Sequence, residues 1–286
     1  MALKFNGEIV NADSRQVYHW MDIGTAKPDR EDFNLVPHHL FDIIDPDQEF
    51  SLAQYQELAS QSIQNIHRRE KLPFLVGGSG QYVWAVMEGW IIPRVPPDLE
   101  LRRSLEKKAL DQGADVLYAQ LSEIDPVAAS KIDKRNLRRV IRALEVSLQT
   151  QAPFSTLKNK NAPDYQTLII GLTADRDELY RRTDLRVEEM IRQGLIQETK
   201  NLVQKGYSTD LPALSSIGYQ QIARMLKGEI TQEEAVRQIK VGNHRFIRHQ
   251  YAWFRLKDQR IHWFDIRNDI LPEVMSLIAN HISEDS

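Results

Sequence analysis

Short apolar segments alternate with a helical segment in the first third of the chain, and this alternation constrains the fold most strongly. Residues 7–10 and 71–76 are predicted strands. Between them, residues 51–69 begin with a serine, a residue type that caps helix N-termini, and carry apolar side chains at helical spacing. A glycine-rich turn at residues 77–80 leads into a helix at residues 82–87. Neighbouring parallel strands must be joined by a crossover connection, which is usually a helix. This order of elements therefore predicts an α/β fold with a parallel sheet.

Two predominantly helical regions interrupt the α/β pattern in the rest of the chain. The predicted elements are a proline-rich boundary (91–97), a helical region (98–148), a polar loop (149–163), a strand (168–172), a second helical region (175–257), a strand (261–265) and a closing helix (271–281). The α/β core is then assigned to residues 1–93, about 165–182 and 258–286, and the helical excursions to residues about 94–164 and 183–257.

The composition excludes several classes of protein. The hydrophobic fraction is 42%, and no segment approaches the roughly 20 apolar residues of a transmembrane helix. The N-terminus has no apolar core long enough for a signal peptide. The absence of cysteine excludes disulfides and thiolate zinc sites and fits a reducing cytosol, so we expect a cytoplasmic protein without a membrane association. A net charge of −3 does not indicate a nucleic-acid binder, so the distribution of charge has to decide.

Asp13 directly follows the first predicted strand and lies in a long polar run. The run Asn11–Tyr18 is followed closely by a second one, Met21–Pro28. Ligands of open α/β sheets bind in loops at the carboxyl ends of strands. A single aspartate at such a place usually caps a helix or a turn. The length and unusual composition of the two runs instead favour a ligand site around Asp13.

The glycine-rich turn and two arginines are candidates for binding phosphate. Glycines in Gly77–Gly80 allow the backbone to approach a phosphate or a base, although many such turns are glycine-rich for steric reasons only. Arg182 and Arg186 lie four residues apart on a predicted helix, so their guanidinium groups share a face that suits phosphate recognition. A surface ion-pair network with Asp184 and its acidic neighbours is the alternative interpretation.

A predicted amphipathic helix over Lys131–Leu148 carries a basic face. Its cations, which lie on or beside that face at helical spacing, are Lys131, Lys134, Arg135, Arg138, Arg139 and Arg142. A solvated surface stripe is the alternative, but so many cations with one acid among them favour contact with a nucleic-acid backbone. A second basic helix, Asn243–Arg255, combines arginines with aromatic residues and serves either core packing or nucleic-acid contact.

Two further segments carry weaker signals. Pro212–Gln220 is predicted to be a loop that enters a helix, with Ser215 or Ser216 as its cap. His38 and His39 adjoin on an extended segment, so their side chains point to opposite sides. With no third ligand at a suitable spacing, we interpret both histidines as packing residues rather than a metal site.

Together these motifs resemble those of the tRNA dimethylallyltransferases. The resemblance rests on Asn11–Tyr18, Met21–Pro28, Gly77–Tyr82, Asn136–Val146 and Ile217–Tyr219. It implies a core like that of phosphate-loop kinases, with a parallel sheet, helical insertions that grip tRNA, and nucleotide binding, ATP included. It also implies transfer of a dimethylallyl group from its diphosphate to N6 of an adenine next to the anticodon of tRNA.

The resemblance further implies roles for individual residues. Asp13 becomes the general base for the N6 proton, and Ser79, which replaces a family threonine, orients the nucleotide. Arg186 and Mg²⁺ offset the charge of the leaving diphosphate, with Arg182 as a second diphosphate contact. The implied tRNA contacts are Asp13, Ser14, Arg15, Gln16, Ser79, Arg102, Arg138, Arg139, Val140, Ile141, Arg142, Ser215, Ser216, Ile217, Gly218, Tyr219 and Gln220. The implied partners are tRNA and dimethylallyl diphosphate, and the protein is expected to be a monomer.

The family's phosphate loop, Gly-x-x-x-x-Gly-Lys-Ser/Thr, has no counterpart, since the sequence contains no Gly-Lys pair. We expect that this loop and the family's first strand precede Met1 and are missing through a late start assignment or a truncation. Loss of the diphosphate anchor predicts low activity and low stability. One alternative is therefore a catalytically impaired tRNA-binding fragment. Another is a prenyltransferase acting on free adenine nucleotides, against which the basic helix around Arg138 argues.

Overall fold

The computed structural model describes residues 1–93, 95–157 and 159–284. After a 3₁₀ turn at Ala2–Phe5, the strands are β1 (Gly7–Asn11), β2 (His38–His39), β3 (Leu72–Val76), β4 (Trp90–Ile91), β5 (Asn159–Lys160), β6 (Ile169–Thr173) and β7 (Ile261–Asp265). The helices are α1 (Arg30–Leu35), α2 (Leu52–Arg68), α3 (Gly80–Met87), α4 (Leu99–Gln112), α5 (Ala114–Ile124), α6 (Pro126–Lys131), α7 (Leu137–Thr150), α8 (Arg176–Gln193), α9 (Leu195–Gln204), α10 (Tyr219–Leu226), α11 (Gln232–Trp253) and α12 (Leu271–Glu284).

A three-stranded parallel sheet forms in the first third of the chain, in the order β2-β1-β3. Helix α2 connects β2 with β3, which lie on opposite sides of β1. A capping box fixes its first turn, because the Ser51 hydroxyl accepts from the Gln54 N–H and the Gln54 amide oxygen accepts from the Ser51 N–H. The predicted strand–helix–strand unit and its serine cap are confirmed.

A second parallel pair, β6 with β7, comes from the last third of the chain. Among the described strands, no ladder joins this pair to the three-stranded sheet. Apolar side chains from both sheets share one cluster, which includes Phe74 of β3, Ile170 of β6 and Phe264 of β7. The fold is therefore α/β with parallel strands, as predicted, but the described parallel strands form two sheets rather than one, and β4 and β5 form a separate antiparallel pair.

The chain divides into two compact units, Met1–Val86 with Asp164–Ser286, and Met87–Pro163. The first unit contains both parallel sheets and helices α8 to α12. In its core, Val17 and Met21 pack against buried side chains of α9 and α10. The second predicted helical excursion therefore shares one compact unit with the α/β core. Within the described part of the chain, no helix is both long enough and apolar enough to cross a membrane.

The second unit contains α4 to α7, and the continuous helix predicted over residues 131–148 is wrong. Helix α6 ends at Lys131 and helix α7 begins at Leu137. Asn136 precedes α7, and its side-chain oxygen accepts a hydrogen bond from the Arg139 N–H at 3.2 Å. This cap satisfies an N-terminal amide that a continuous helix would pair internally.

A polar turn separates the two helices. The Asp133 carboxylate accepts from the Arg135 N–H at 3.0 Å and from its guanidinium at 2.9 Å. Such local bonds from an aspartate compete with helical hydrogen bonds. Lys131 and Arg135 therefore do not share a helical face with Arg138 and Arg142, and the basic face of α7 is shorter than predicted.

Candidate functional site

Asp13 lies in a turn immediately after β1, and Asn11 shapes that turn. The Asn11 side chain accepts from the Asp13 N–H at 2.8 Å and donates to the carbonyl oxygens of Asp13 and Leu40 at 3.1 and 3.0 Å. The Tyr55 hydroxyl donates to the Asn11 carbonyl oxygen at 2.9 Å. Asn11 is fully buried, so the turn that presents Asp13 is held from the protein interior.

The Asp13 carboxylate is itself partly desolvated. It accepts from the Arg15 N–H at 2.7 Å, and the Gln16 N–H also faces it. Burial raises the pKa of Asp13 above its ordinary value of 3.8, and the two N–H groups and the Arg15 charge only partly oppose this rise. A carboxylate with a raised pKa is a stronger base than an exposed one, which is the property required of a general base.

Ser79 lies beside the Asp13 turn. Its hydroxyl accepts from the Ser14 N–H at 2.9 Å, and its own N–H donates to the Ala12 carbonyl oxygen at 3.2 Å. A Cβ on Gly77 would lie 2.3 Å from the Ala12 carbonyl carbon, so only glycine permits this approach of the two loops. The structure thus brings together two predicted site segments that are far apart in sequence.

Helix α11 packs against the glycine-rich turn. The Gln250 side chain donates to the Gly78 carbonyl oxygen at 3.2 Å, and a Cβ on Gly80 would lie 2.2 Å from Cγ of Trp253. The Trp84 indole N–H donates to the Trp253 carbonyl oxygen at 3.1 Å. The second basic helix of the sequence therefore supports the turn that carries Ser79.

The loop before α10 touches the Asp13 turn through Arg15, whose guanidinium donates to the Pro212 carbonyl oxygen at 2.9 Å. The expected serine cap of α10 is wrong. The Ser215 and Ser216 hydroxyls donate to the carbonyl oxygens of Pro212 and Ala213, at 2.7 Å each, in turns that precede the helix. Gly218 is the N-cap instead, with a φ of 98° that favours glycine.

Arg182 and Arg186 lie on α8, as predicted, but differ in their contacts. Arg182 donates to the Glu178 carboxylate at 2.6 Å, within an ion-pair network that also includes Arg181. Arg186 is exposed, and within the described residues it makes no hydrogen bond or ion pair. Asp184 pairs with His244 of α11 at 2.9 Å rather than with either arginine. Arg186 is therefore available to an anionic ligand.

The predicted basic residues of the second unit fall into two groups. Arg138 and Arg139 of α7 are exposed, and their side chains make no ion pair with any described residue. The Arg102 and Arg142 guanidinium groups both bind the buried Glu145 carboxylate, at 2.8 and 2.6 Å. One acid thus holds two of the predicted tRNA contacts in place.

Val140 and Ile141, two further predicted contacts on α7, have side chains that are buried in the core of the second unit. They anchor the helix on the side away from solvent. These two side chains are therefore not accessible to a nucleic acid, whereas the side chains of Arg138 and Arg139 are exposed to solvent.

A protein-family model described as IPP transferase matches residues 16–257, which is most of the chain. The chain belongs to the IPP transferase family. The tRNA dimethylallyltransferase of Dehalococcoides mccartyi is 48% identical over 288 residues, covering 99% of this chain and 89% of that protein. The crystal structure of the full-length tRNA isopentenylpyrophosphate transferase from Bacillus halodurans superposes with a TM-score of 0.71 at 41% identity, covering 99% of this chain and 89% of that one. A eukaryotic dimethylallyltransferase acting on tRNA gives a TM-score of 0.80 at 25% identity, covering 99% of this chain and 75% of that one.

In this IPP transferase, His38 and His39 lie on β2 and contact other side chains of the fold. His39 binds the buried Glu8 carboxylate at 2.7 Å, and the His38 ring packs against Phe33 and Phe41. Glu8 also pairs with Arg69, and these hydrogen bonds hold the pKa of Glu8 well below its ordinary range despite its burial. The cluster fixes the β1–β2 edge of the sheet.

Lys27 and Glu198 of this IPP transferase were not among the residues predicted from the sequence. The Lys27 ammonium is almost fully buried and donates to the Tyr18 carbonyl oxygen at 2.6 Å and to the carboxylates of Asp22 and Asp42 at 2.7 and 2.5 Å. Lys27 lies within the Met21–Pro28 run, so the unusual composition of that run was its one sequence signal. Glu198 lies in an ordinary amphipathic helix, and no local pattern distinguishes it.

Proposed function

We propose that this IPP transferase transfers a dimethylallyl group from dimethylallyl diphosphate to N6 of the adenine next to the anticodon of tRNA. The observation that carries the proposal is a partly desolvated Asp13 carboxylate beside the Ser79 hydroxyl, at the carboxyl end of a parallel strand. The family membership and the activity stated for the related proteins support it. An adenine must leave its stack to reach such a carboxylate, as in other enzymes that modify bases.

The proposed reaction is a displacement at the first carbon of the dimethylallyl group. The N6 nitrogen bonds to that carbon, the carbon–oxygen bond to the diphosphate breaks, and its electron pair leaves with the diphosphate. Asp13 accepts the proton that N6 loses. The Ser79 hydroxyl orients the nucleotide, and Arg186 offsets negative charge on the departing diphosphate.

Mg²⁺ remains a prediction of the family resemblance. Within the described residues, no group of three or more His, Asp or Glu side chains is placed to hold a metal ion. Those residues therefore offer no dedicated metal cage, and none of the steps above is assigned to the metal. Nucleotide (ATP) binding, a cytoplasmic location and a monomeric state also stay predictions.

The missing phosphate loop stays a prediction as well. The sequence has no Gly-Lys pair, so none of its residues can serve as the lysine of such a loop. Translation of the genomic DNA upstream of the Met1 codon tests this expectation directly.

Mass spectrometry of tRNA nucleosides tests the proposed function. Excess protein is incubated with unmodified tRNA, dimethylallyl diphosphate and Mg²⁺, so that even a slow enzyme completes one turnover. The expected product is an adenosine that carries one additional C5H8 unit at N6. Product on free adenosine monophosphate but not on tRNA would establish the free-nucleotide prenyltransferase instead. Binding of tRNA without any product would establish the impaired fragment.

Replacement of Arg186 by glutamine removes a cation near the leaving diphosphate and is expected to lower kcat about tenfold. A larger effect is not expected, because Arg186 is exposed and stabilises charge less than a buried donor does. Single-turnover rates at saturating dimethylallyl diphosphate measure the effect. Arg192→Gln is the matched control, because Arg192 pairs with Glu189 on the same helix. Equal rates for the two variants would remove Arg186 from the site.

Replacement of Arg138 and Arg139 together by glutamine is expected to weaken tRNA binding and flatten its salt dependence. Removal of one cation that binds a phosphate reduces the slope of log Kd against log salt by about 1, so the slope for the double variant should fall by about 2. Fluorescence anisotropy with labelled tRNA at several salt concentrations measures the slope. Lys107→Gln is the control, being an exposed cation on α4 of the same unit. An unchanged slope in the double variant would contradict phosphate binding by α7.

A further inference from the structure

Glu198 of α9 binds a loop that is distant in sequence. Its carboxylate accepts hydrogen bonds from three successive N–H groups, those of Asp22 at 3.0 Å, Ile23 at 2.8 Å and Gly24 at 3.1 Å. Successive N–H groups that converge on one point form an anion-binding nest, and here the anion is a side chain of the protein itself. Glu198 therefore sets the position of the loop backbone rather than that of one side chain.

The same carboxylate also binds the first residue of α10. The Tyr219 hydroxyl donates to Glu198 at 2.5 Å, and the tyrosine is fully buried. Burial and the Glu198 carboxylate raise the pKa of Tyr219, so the phenol stays protonated as a donor. A Cβ on Gly24 would lie 2.5 Å from Cε2 of Tyr219, so the ring lies directly on the loop backbone.

The loop held by Glu198 in turn holds Gln16. The Gln16 amide donates to the carbonyl oxygens of Thr25 and Ala26, at 3.0 Å each. Gln16 directly follows Arg15, whose N–H donates to the Asp13 carboxylate at 2.7 Å. Hydrogen bonds and the chain itself therefore connect Glu198 through residues 22–26, Gln16 and Arg15 to the Asp13 carboxylate.

We propose that Glu198 is a positioning residue that sets the Asp13 turn and the Ser215–Gln220 segment in register for the tRNA substrate. The proposal rests on the proposed function and deepens it. Glu198 reaches both segments because Tyr219 belongs to one of them and Gln16 connects it with the other. Four donors converge on one acceptor group, which requires a carboxylate. A glutamine would turn an NH2 group towards at least one of those donors and leave it unpaired.

Kinetics of the Glu198→Gln variant test the proposal. We expect kcat/KM for tRNA to fall about tenfold or more, which corresponds to about 1.4 kcal/mol. The KM for dimethylallyl diphosphate should stay within about twofold of the parent value, because no diphosphate contact is assigned to this loop. Hydrogen exchange at the Asp22, Ile23 and Gly24 amides should become faster in the variant. Glu189→Gln, which removes an exposed carboxylate from neighbouring α8, is the matched control and should behave like the parent.

Two further variants keep the test informative if Glu198→Gln folds poorly. Tyr219→Phe removes one of the four bonds and should lower kcat/KM for tRNA less than Glu198→Gln does. Gly24→Ala leaves the carboxylate intact but pushes the Tyr219 ring, so it should reproduce the loss for tRNA. The positioning role would be overturned if folded Glu198→Gln protein had the parental kcat/KM for tRNA. It would also be overturned if both Tyr219→Phe and Gly24→Ala had the parental value. Absence of tRNA modification by the parent protein would instead reject the proposed function.

Discussion

Replacement of Asp13 by asparagine is expected to lower kcat for tRNA modification by about 100-fold or more, the usual contribution of a positioned general base. Asparagine keeps the oxygen that accepts from the Arg15 N–H, so the turn should persist. What is lost is the carboxylate that takes the N6 proton. Single-turnover formation of the modified nucleoside in excess enzyme measures the chemical step, while tRNA affinity should change little.

The pH dependence of the parent enzyme should report the same group. Because burial raises the pKa of Asp13 above 3.8, kcat/KM should fall with decreasing pH at a higher pH than for an exposed aspartate. Folding stability should change with pH in the opposite direction to activity. Because the pKa of Asp13 is raised in the folded state, its ionised form destabilises the fold above the ordinary pKa. Asp13→Asn should therefore unfold at the same temperature as the parent or a higher one.

A matched control separates this effect from a general loss of charge. Asp29 is an exposed N-cap of α1, and asparagine caps helices about as well as aspartate. Asp29→Asn should retain parental kcat. If Asp13→Asn turned over as fast as Asp29→Asn, another group would have to be the base.

Local sequence patterns predicted the elements that frame the site. The Ser51 cap depends on contacts within three residues. Strands β1 and β3 and the turn between β3 and α3 are marked by local apolar runs and glycines, so residue type and spacing were sufficient to predict them. The helix over residues 131–148 was wrong because apolar and basic periodicity continued through a turn that Asp133 and Asn136 stabilise locally.

Long-range contacts could not be predicted from such patterns. Glu198 binds amides 174 to 176 residues away, and Gln250 binds the Gly78 carbonyl oxygen across 172 residues. Nothing near either residue in the sequence records the partner. The candidate site was therefore predictable as a set of loops, whereas the acids and amides that hold those loops were not.

Replacement of Glu145 by glutamine is expected to destabilise the second unit by about 2–3 kcal/mol. Loss of one partner from a fully buried ion pair costs about 3–5 kcal/mol, and the lower figure applies because Arg102 and Arg142 remain about a third exposed. Glu145 also accepts from the Asp98 N–H at 2.8 Å, which caps the start of α4. The amide of glutamine can replace only part of this arrangement.

Hydrogen exchange over α4 and α7 measures this change separately from opening of the other unit. The difference in stability between the parent and Glu145→Gln should depend on pH. Burial favours the neutral acid, but hydrogen bonds from Arg102 and Arg142 outweigh it, so the pKa of Glu145 lies below its ordinary value of 4.5. The stabilisation is then fully present above that ordinary value and is lost as the pH falls through the lower folded-state pKa. Parent and variant should therefore converge in acid.

The same substitution should also weaken tRNA binding, since Glu145 fixes the two guanidinium groups and Arg142 donates in addition to the Val95 carbonyl oxygen at 2.9 Å. Glu123→Gln, an exposed position on α5, makes the same change of charge without these contacts and should match the parent in both measurements. Lower stability with unchanged tRNA affinity would show that Glu145 serves the fold alone. In that case Arg138 and Arg139 would form the nucleic-acid surface of α7 without Arg102 and Arg142.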